Sequence, residues 1–281
     1  MLLDAVLQPG RGAVVTGGAS GIGLAAACEY ARRGLQVCIA DRCEADLKDA
    51  AAQLNAINPD LNHQSACFDV GDYESMQGFH DQVQSATSSV AIVMNNAGTS
   101  LPSSTFDGID AWQALLQTNL WGMIHGVQAF VPSLVTQDAP SMVINTGSKQ
   151  GITNPPGNPA YNLSKAGVRS LTESLAHELR NTKDCAVTAH LLLPGFTYTG
   201  LISRFMPQKP ASAWTPQQVV DYLLAKLDQG VFYILCPDND VSEQVDHRRI
   251  AWHGDDLVRG RSALSRWDPA YEAEFNAFMD S

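Results

Sequence analysis

A tyrosine and a lysine four residues apart could do acid–base chemistry in this sequence. Tyr161 and Lys165 lie in a segment with helical spacing, Pro159–Asn181, and residues at positions i and i+4 share one face of a helix. A free phenol titrates near pH 10, and a neighbouring ammonium group favours the phenolate. We therefore expect Lys165 to lower the pKa of Tyr161. Taken alone, however, the pair is more simply interpreted as an ordinary phenol on a helix surface.

A glycine-rich stretch, Thr16–Gly23, lies between a predicted strand and a predicted helix. Glycines there let the backbone approach a pyrophosphate, and a helix N-terminus supplies free N–H groups and a favourable dipole. A tight turn would explain the same residues. Their position at the start of the first strand–helix unit favours a dinucleotide site.

Short apolar runs alternate with longer amphipathic segments along the chain. The predicted strands are Ala13–Thr16, Gln36–Ala40, His63–Phe68, Val90–Asn95, Met142–Thr146, Val187–Leu193 and Val231–Cys236. The predicted helices are Gly21–Arg33, Glu44–Ala56, Tyr73–Ala86, Asp110–Val135, Pro159–Asn181 and Pro216–Gln229. Several strands are continuous apolar runs, as expected when helices cover both faces of a parallel sheet. The pattern predicts an α/β fold: a doubly wound, parallel, seven-stranded sheet of Rossmann type with helices on both faces.

Three motifs in order carry a family resemblance. Thr16–Gly23 reads TGxxxGxG, Asn95–Gly98 reads NNAG, and Tyr161–Lys165 reads YxxxK. Together they resemble the short-chain dehydrogenase/reductase family in its single-domain form, over roughly residues 10–237. The resemblance implies a catalytic set of four residues, which are Asn119, Ser148, Tyr161 and Lys165.

The family's chemistry is the interconversion of an alcohol with a ketone or aldehyde by hydride transfer to or from NAD or NADP. The resemblance implies that Tyr161 is the acid/base and that Ser148 binds the substrate oxygen. It implies that Lys165 holds the nicotinamide ribose and that Asn119 holds a water that links the site to solvent.

The cofactor is expected to be NAD, with NADP as the alternative. Asp41 follows the second predicted strand, where an acid can accept hydrogen bonds from ribose hydroxyls and repel a 2′-phosphate. Arg42 indicates the opposite, since a guanidinium group can bind a 2′-phosphate. The resemblance implies cofactor binding by Gly17, Ser20, Gly21, Ile22, Gly23, Asp41, Arg42, Asp69, Val70, Asn96, Ala97, Gly98, Tyr161, Lys165, Pro194, Gly195, Thr197 and Thr199.

Two segments near the predicted catalytic end bear on the substrate. Lys149 follows Ser148, and a cation there could recognise an anionic substrate, although a side chain pointing to solvent is the simpler interpretation. The loop Gly195–Ala213 follows a strand at its carboxyl end, where ligands bind in such sheets, so it is a candidate substrate lid.

The chain divides into a predicted dinucleotide-binding and catalytic domain, residues 1–237, and a C-terminal extension, residues 238–281. In the extension, Tyr271, Phe275 and Phe278 recur at helical spacing, and such a stripe is costly to leave in water. We expect the extension to pack near the lid and narrow the substrate entrance, on its own or a neighbouring subunit. A clamp on the sheet edge is the alternative.

Composition excludes several classes of protein. The chain has 281 residues, 45% of them hydrophobic, and a net charge of −11, which argues against disorder and against binding to nucleic acid or an anionic membrane. No apolar run reaches 18 residues, and about ten residues before the first strand leave no room for a signal peptide. Six cysteines without CxxC pairing indicate free thiols in a reducing compartment, so we expect a cytoplasmic protein without a metal site.

Other functions and the assembly were also considered. A redox-sensing regulator that binds dinucleotide without turnover is the main alternative, although it need not keep the acid/base pair. An extended-type epimerase is disfavoured by the glycine spacing. Two leucine-rich stripes, together with the family resemblance, favour a homodimer or homotetramer. Those stripes are Leu116, Leu120 and Met123 on one helix and Leu171, Leu175 and Leu179 on the other.

Overall fold

A parallel sheet organises the structure, a computed structural model that describes residues 2–203 and 205–281. Its strands are β1 Gly12–Thr16, β2 Gln36–Asp41, β3 Gln64–Cys67, β4 Val90–Asn95, β5 Ser141–Thr146, β6 Val187–Leu193 and β7 Tyr233–Leu235. Their order is β3-β2-β1-β4-β5-β6-β7, and each neighbouring pair is parallel. The strand order reverses between β1 and β4, the place where ligands bind in open parallel sheets. The predicted fold class is confirmed.

The longer helices of the main domain pack on both faces of the sheet. In chain order, the helices of the structure are α1 Leu2–Val6, α2 Gly21–Arg32, α3 Glu44–Ile57, α4 Tyr73–Ala86, α5 Ile109–Leu116, α6 Gly122–Thr136, α7 Gln150–Thr153, α8 Pro159–Asn181, α9 Gly200–Ser203, α10 Pro216–Asp228, α11 Glu243–Arg259 and α12 Glu272–Asp280. Alternate strand residues belong to opposite cores: Val15 packs with α2 and α10, whereas Val14 packs with α4, α6 and α8. Burial of both faces explains the continuous apolar runs.

One predicted helix is interrupted by a π-helical turn. The helix expected over Asp110–Val135 runs from Ile109 to Thr136, with the π turn at Gln117–Trp121 between α5 and α6. Such turns insert one extra residue into an α-helix and are frequent at functional sites. Asn119 lies in the middle of this turn and is fully buried.

Most side chains of the two leucine-rich stripes are buried against the core of their own chain. Met123, Leu175 and Leu179 are buried, and Leu120 and Leu171 pack partly against the same cores. Most of these side chains are therefore covered within one chain, and the pairing of the two helices with those of a partner subunit stays a prediction.

The C-terminal extension forms a small aromatic core of its own. Trp252 of α11 is 2% exposed, and its ring lies 5.3 Å from the rings of both Phe275 and Phe278. The guanidinium group of Arg261 stacks 3.7 Å from the Trp252 ring centre, and Trp252 Nε1 donates a hydrogen bond of 2.8 Å to Ser265. The third expected aromatic, Tyr271, ends a 3-10 turn before α12.

This extension docks beside the β6–β7 edge of the sheet. Helix α11 packs against α7, and its Ile250 joins a cluster with Leu235 and Ile152. In the described part of the chain, no helix combines the length and the apolar character needed to cross a bilayer.

Candidate active site

One cavity of about 640 Å³ lies along the carboxyl ends of the central strands. This volume is within the usual range for small-molecule sites. Every expected site residue lines it except Gly23 and Asn119. The structure therefore brings together motifs that are up to 182 residues apart in the chain, from Gly17 to Thr199.

The glycine-rich loop leaves its main chain accessible to a ligand that binds backbone N–H groups. Gly17 has a φ of +64°, and a Cβ there would lie 2.7 Å from the Ala97 Cα atom. Ser20 begins α2 without capping it through its side chain, so the first N–H groups of that helix have no side-chain cap there. Such amides bind anions, which is the property that a pyrophosphate group requires.

Gly23 does not line the cavity, in contrast to its expected role in cofactor binding. A Cβ there would lie 2.1 Å from the Gly17 carbonyl oxygen and 2.6 Å from Asn96 Nδ2. The amide of Asn96 in turn donates to the carbonyl oxygens of Thr16 and Gly17, at 3.2 and 3.3 Å. Gly23 thus lets helix α2 pack closely behind the loop.

Carboxylates gather at one end of the cavity. Asp41 Oδ1 accepts a hydrogen bond from the Arg42 N–H at 2.8 Å, and its Oδ2 accepts one from the Ala19 N–H at 3.3 Å. Asp46 and Asp69 line the same cavity. Asp41 therefore both shapes the glycine-rich loop and adds negative charge beside it.

The four predicted catalytic residues come together from three elements. Ser148 and Tyr161 both line the cavity, and their side chains are close enough for Ser148 to lower the pKa of the phenol. Lys165 is 4% exposed, and its Nζ atom donates a 2.8 Å hydrogen bond to the Thr146 carbonyl oxygen. The phenol and the ammonium group lie on one face of α8, as their spacing predicts.

The pKa of Tyr161 is raised in the structure, which is opposite to the lowering expected from the sequence. Burial raises the pKa of the Tyr161 phenol, and the Ser148 side chain only partly opposes that effect. Burial also lowers the pKa of Lys165 to about 8. The ammonium group, 5.8 Å from the ring centre, is thus itself destabilised by the same loss of water.

Asn119 acts on the site from behind the cavity wall. Its Oδ1 accepts a 2.7 Å hydrogen bond from the Thr99 N–H, and its Nδ2 donates to the Thr99 carbonyl and the Ser164 hydroxyl at 2.9 and 3.2 Å. The side chain therefore ties the π turn to the strand β4 loop and to α8. Thr99 itself lines the cavity.

Lys149 is neither a solvent-exposed cation nor a free anion receptor, contrary to both expectations. Its ammonium group contacts the carboxylate of Asp246 and lies 3.8 Å from that of Asp238. Both acids belong to the C-terminal extension. Although Lys149 lines the cavity, these two carboxylates more than offset the positive charge that an anionic substrate would need.

The candidate lid touches both the glycine-rich loop and the extension. A Cβ on Gly21 would lie 3.2 Å from the Thr199 methyl group, and Phe196, Leu201 and Ile202 line the cavity. The extension reaches the far end of the lid through Asn239, whose N–H donates to the Ser212 carbonyl at 3.1 Å. Residues 238–281 are all described, and none of them lines the cavity. Within one chain the extension therefore supports the wall of the cavity and does not narrow its entrance, and its placement on a neighbouring subunit stays a prediction.

A family model described as "short chain dehydrogenase" matches residues 11–209. The chain belongs to that family. The match spans the glycine-rich loop, the Asn96 region and all four residues of the predicted catalytic set, which confirms the resemblance seen in the sequence.

Relatives of this short-chain dehydrogenase differ in their cofactors. It is 31% identical to the NADP-dependent (R)-specific alcohol dehydrogenase of Lentilactobacillus kefiri, over 69% of this chain and 75% of that protein. A short-chain dehydrogenase from Burkholderia phymatum in complex with NAD matches with a TM-score of 0.81 and 26% identity, over 90% of this chain and 96% of that one. A short-chain dehydrogenase from Shigella flexneri complexed with NADP matches with a TM-score of 0.70 and 25% identity, over 78% of this chain and 92% of that one.

Sequence reasoning missed several residues of this short-chain dehydrogenase site. Thr99, Thr146 and Gln150 line the cavity beside the expected set. Their positions just after β4, at the end of β5 and just after Ser148 could have indicated them. Asp238 and Asp246 gave no such signal, since acidic residues in a mixed-charge tail are usually solvated.

Proposed function

We propose that this chain is a nicotinamide-dinucleotide-dependent oxidoreductase that interconverts an alcohol with a ketone or aldehyde, with Tyr161 as the acid/base. The observation that carries the proposal is that Ser148, Tyr161 and Lys165 line the same cavity as the glycine-rich loop. Membership of the family and the oxidoreductase relatives support an enzyme, and they do not support a regulator without turnover.

Tyr161 is suited to protonate a carbonyl oxygen. Because burial raises its pKa, the phenol keeps its proton at neutral pH and can donate it as hydride reaches the carbonyl carbon. Ser148 donates a hydrogen bond to the same oxygen and stabilises its developing negative charge. A bound nicotinamide ring supplies the hydride in reduction and accepts it in oxidation.

Lys165 and Asn119 complete the proposed set in different ways. Lys165 presents a buried ammonium group next to Gly98, where an added Cβ would lie 3.7 Å from Nζ, and it is placed to bind ribose hydroxyls. Asn119 orients the Thr99 loop and α8 through its three hydrogen bonds. We therefore assign Asn119 a positioning role.

NAD is the proposed cofactor, with NADP as the weaker alternative. The carboxylate of Asp41, with Asp46 and Asp69 in the same cavity, disfavours the two negative charges of a 2′-phosphate. Arg42 lines the cavity as well and is the residue that would bind such a phosphate.

The partners and location are proposed on broader grounds. The substrate is a small alcohol or carbonyl compound, and the net charge of −11 argues against nucleic acid and membrane surfaces. Six free cysteines support a reducing, cytoplasmic location. A homodimer or homotetramer through α5–α6 and α8 is supported by half-exposed Trp121 of the π turn and Leu163 of α8, and a monomer in light scattering would contradict it.

The domain organisation is also a proposal. Residues 1–237 carry the whole cavity wall, which supports one dinucleotide-binding and catalytic domain. Residues 238–281 form a separate aromatic core around Trp252, which supports an extension packed on that domain.

The test of the proposed function is turnover. Purified protein is mixed with NAD or NADP and a panel of alcohols, or with NADH or NADPH and a panel of ketones and aldehydes, and absorbance at the reduced nicotinamide band is followed. We expect turnover of at least one pair. Tight dinucleotide binding without any turnover across the panel would instead favour a regulator.

A further inference from the structure

A buried ion cluster fastens the C-terminal extension to the cavity wall. The ammonium group of Lys149 contacts Asp246 of α11 and lies 3.8 Å from Asp238 Oδ2. The side chains of Lys149, Asp246 and Asp238 are only 16%, 7% and 8% exposed. Charges so far from water persist only where close pairing offsets the loss of hydration. The three side chains therefore hold one another in place.

The cluster lies beside two segments of the cavity wall, and Lys149 itself belongs to the lining. Lys149 follows Ser148 in the chain, and the Ser148 hydroxyl accepts a 3.2 Å hydrogen bond from the Gln150 N–H at the start of α7. On the other side, Asp238 Oδ2 accepts a 3.2 Å hydrogen bond from the Phe196 N–H. The cluster thus joins the turn after β5 to the loop after β6.

Gly195 shows how closely the cluster approaches the wall. A Cβ at this position would lie 2.9 Å from Lys149 Nζ and 3.0 Å from Asp238 Oδ2. Any side chain here would push the ion cluster away from the loop. The absence of a side chain at Gly195 allows the ammonium and carboxylate groups to pack against the backbone that lines the cavity.

We propose that Lys149, held by Asp246 and Asp238, is a positioning residue that fixes Ser148 and the Gly195–Phe196 backbone relative to each other, and that the C-terminal extension is thereby required for efficient turnover. The proposal rests on the proposed function, since it concerns the geometry of that reaction. Lys149 itself lines the cavity, whereas Asp246 and Asp238, which hold its ammonium group, do not, so substitution of Asp246 separates positioning from direct contact with substrate.

A second ion pair provides a matched control. Lys226 of α10 lies 3.8 Å from Glu243 of α11, so it also joins the extension to the main domain. Neither residue lines the cavity. A role in docking alone predicts similar effects for both ion pairs, whereas positioning predicts an effect on turnover only for Lys149 and its partners.

The kinetic experiment compares Asp246→Asn, Lys149→Met and Lys149→Arg with Lys226→Met. We expect Asp246→Asn and Lys149→Met to lower kcat about tenfold or more, with a smaller change in KM, because slight misplacement of reacting groups is costly. Lys149→Arg keeps the positive charge and should retain most of kcat. Lys226→Met should stay within about twofold of the wild type. A kcat for Asp246→Asn within that same range would overturn the proposal.

Hydrogen exchange supplies a readout that needs no turnover. In Asp246→Asn, which keeps the size of the side chain, we expect the amides of segments 148–153 and 195–203 to exchange about fivefold faster or more, and in Lys226→Met to exchange at the wild-type rate. Unchanged exchange in Asp246→Asn would overturn the proposal. If this pattern appears but the wild-type protein turns over no substrate, the proposed function fails while the mechanical link between the extension and the wall stands.

Discussion

The Lys165 ammonium group lies 5.8 Å from the centre of the Tyr161 ring and donates its 2.8 Å hydrogen bond to the Thr146 carbonyl oxygen. The lysine is thus anchored to the end of β5, while the phenol lies beside Ser148, which acts to lower the phenol's pKa. Two neighbouring groups on α8 therefore have separate anchors. This separation allows the effects of the two side chains to be measured independently.

Removing the phenol hydroxyl tests the assigned acid/base. We expect Tyr161→Phe to lower kcat by about 10²–10⁴, the usual effect of losing a general acid or base, while the Kd for NADH changes little. Steady-state kinetics and NADH fluorescence titration measure the two quantities. Tyr198→Phe, which removes a hydroxyl that bonds the Pro207 carbonyl oxygen, is the control for a tyrosine near the lid. Near-normal turnover of Tyr161→Phe would rule out the acid/base assignment.

The buried lysine predicts a pH dependence of stability. The Lys165 pKa falls from 10.5 to about 8 on folding, so between these values the unfolded chain binds the additional proton. The free energy of unfolding should therefore rise with pH in this window, by about 2 kcal/mol between pH 8 and pH 10. Urea unfolding of the wild type and of Lys165→Met isolates the effect, because other titrating groups are shared. If the difference in the free energy of unfolding between the two proteins does not change with pH, the lowered pKa of Lys165 is contradicted.

The cofactor preference should depend on the charge of Asp41. We expect the wild type to have a lower KM for NAD than for NADP. Asp41→Asn keeps the shape of a side chain that accepts hydrogen bonds from Ala19 and Arg42, and it should narrow or invert the preference. The ratio of kcat/KM values for the two cofactors is the measurement. If the wild type prefers NADP tenfold, the assignment of Asp41 as the residue that selects NAD is wrong.

Two glycine-to-alanine substitutions should change the stability of the protein in opposite directions. Gly23→Ala places a Cβ 2.1 Å from the Gly17 carbonyl oxygen, which forces the glycine-rich loop away from α2. We expect weaker dinucleotide binding and a lower Tm. Gly254→Ala meets nothing within 4 Å in the interior of α11 and should stabilise that helix by about 0.5–1 kcal/mol. Calorimetry and cofactor titration of both variants check the contrast, and equal behaviour would refute it.

Truncation tests the aromatic core of the extension. Deleting residues 262–281 removes Phe275, Phe278 and Ser265, which contact Trp252. We expect the free energy of unfolding to fall by about 3 kcal/mol or more, since a large buried ring becomes exposed. A truncated chain with unchanged urea stability would show that Trp252 finds other partners. Loss of turnover at temperatures where the truncated chain stays folded would indicate a role beyond docking.

The parts of the site that sequence could predict are those encoded locally. Tyr161 and Lys165 share a helix face because of a spacing of four, and the glycine-rich loop follows from its place between β1 and α2. The seven strands lie within two residues of their predicted bounds at each end, and for most of them the reason is that runs buried on both faces are strongly apolar. Strand β3, with the sequence QSAC and alternating exposure, is the exception.

The remaining features depend on tertiary contacts that have no local signal. Lys149 and Asp246 meet across 97 residues of sequence, so neither the loss of a free cation nor its cause could be foreseen. The raised pKa of Tyr161 reflects burial, which the i,i+4 spacing does not report. Burial of Leu175 and Leu179 likewise depends on how closely α8 packs on the sheet.

The π turn at Gln117–Trp121 constrains how the gene for this protein can vary in length. Because the turn holds one extra residue, deleting one codon within it would restore a regular α-helix and leave the later residues of α6 in place. Asn119, in the middle of the turn, would then lose the backbone geometry that directs its hydrogen bonds to Thr99 and Ser164. Single-codon deletions here should therefore be lost from functional libraries, whereas deletions in the exposed 104–107 loop, which precedes the helix, should survive.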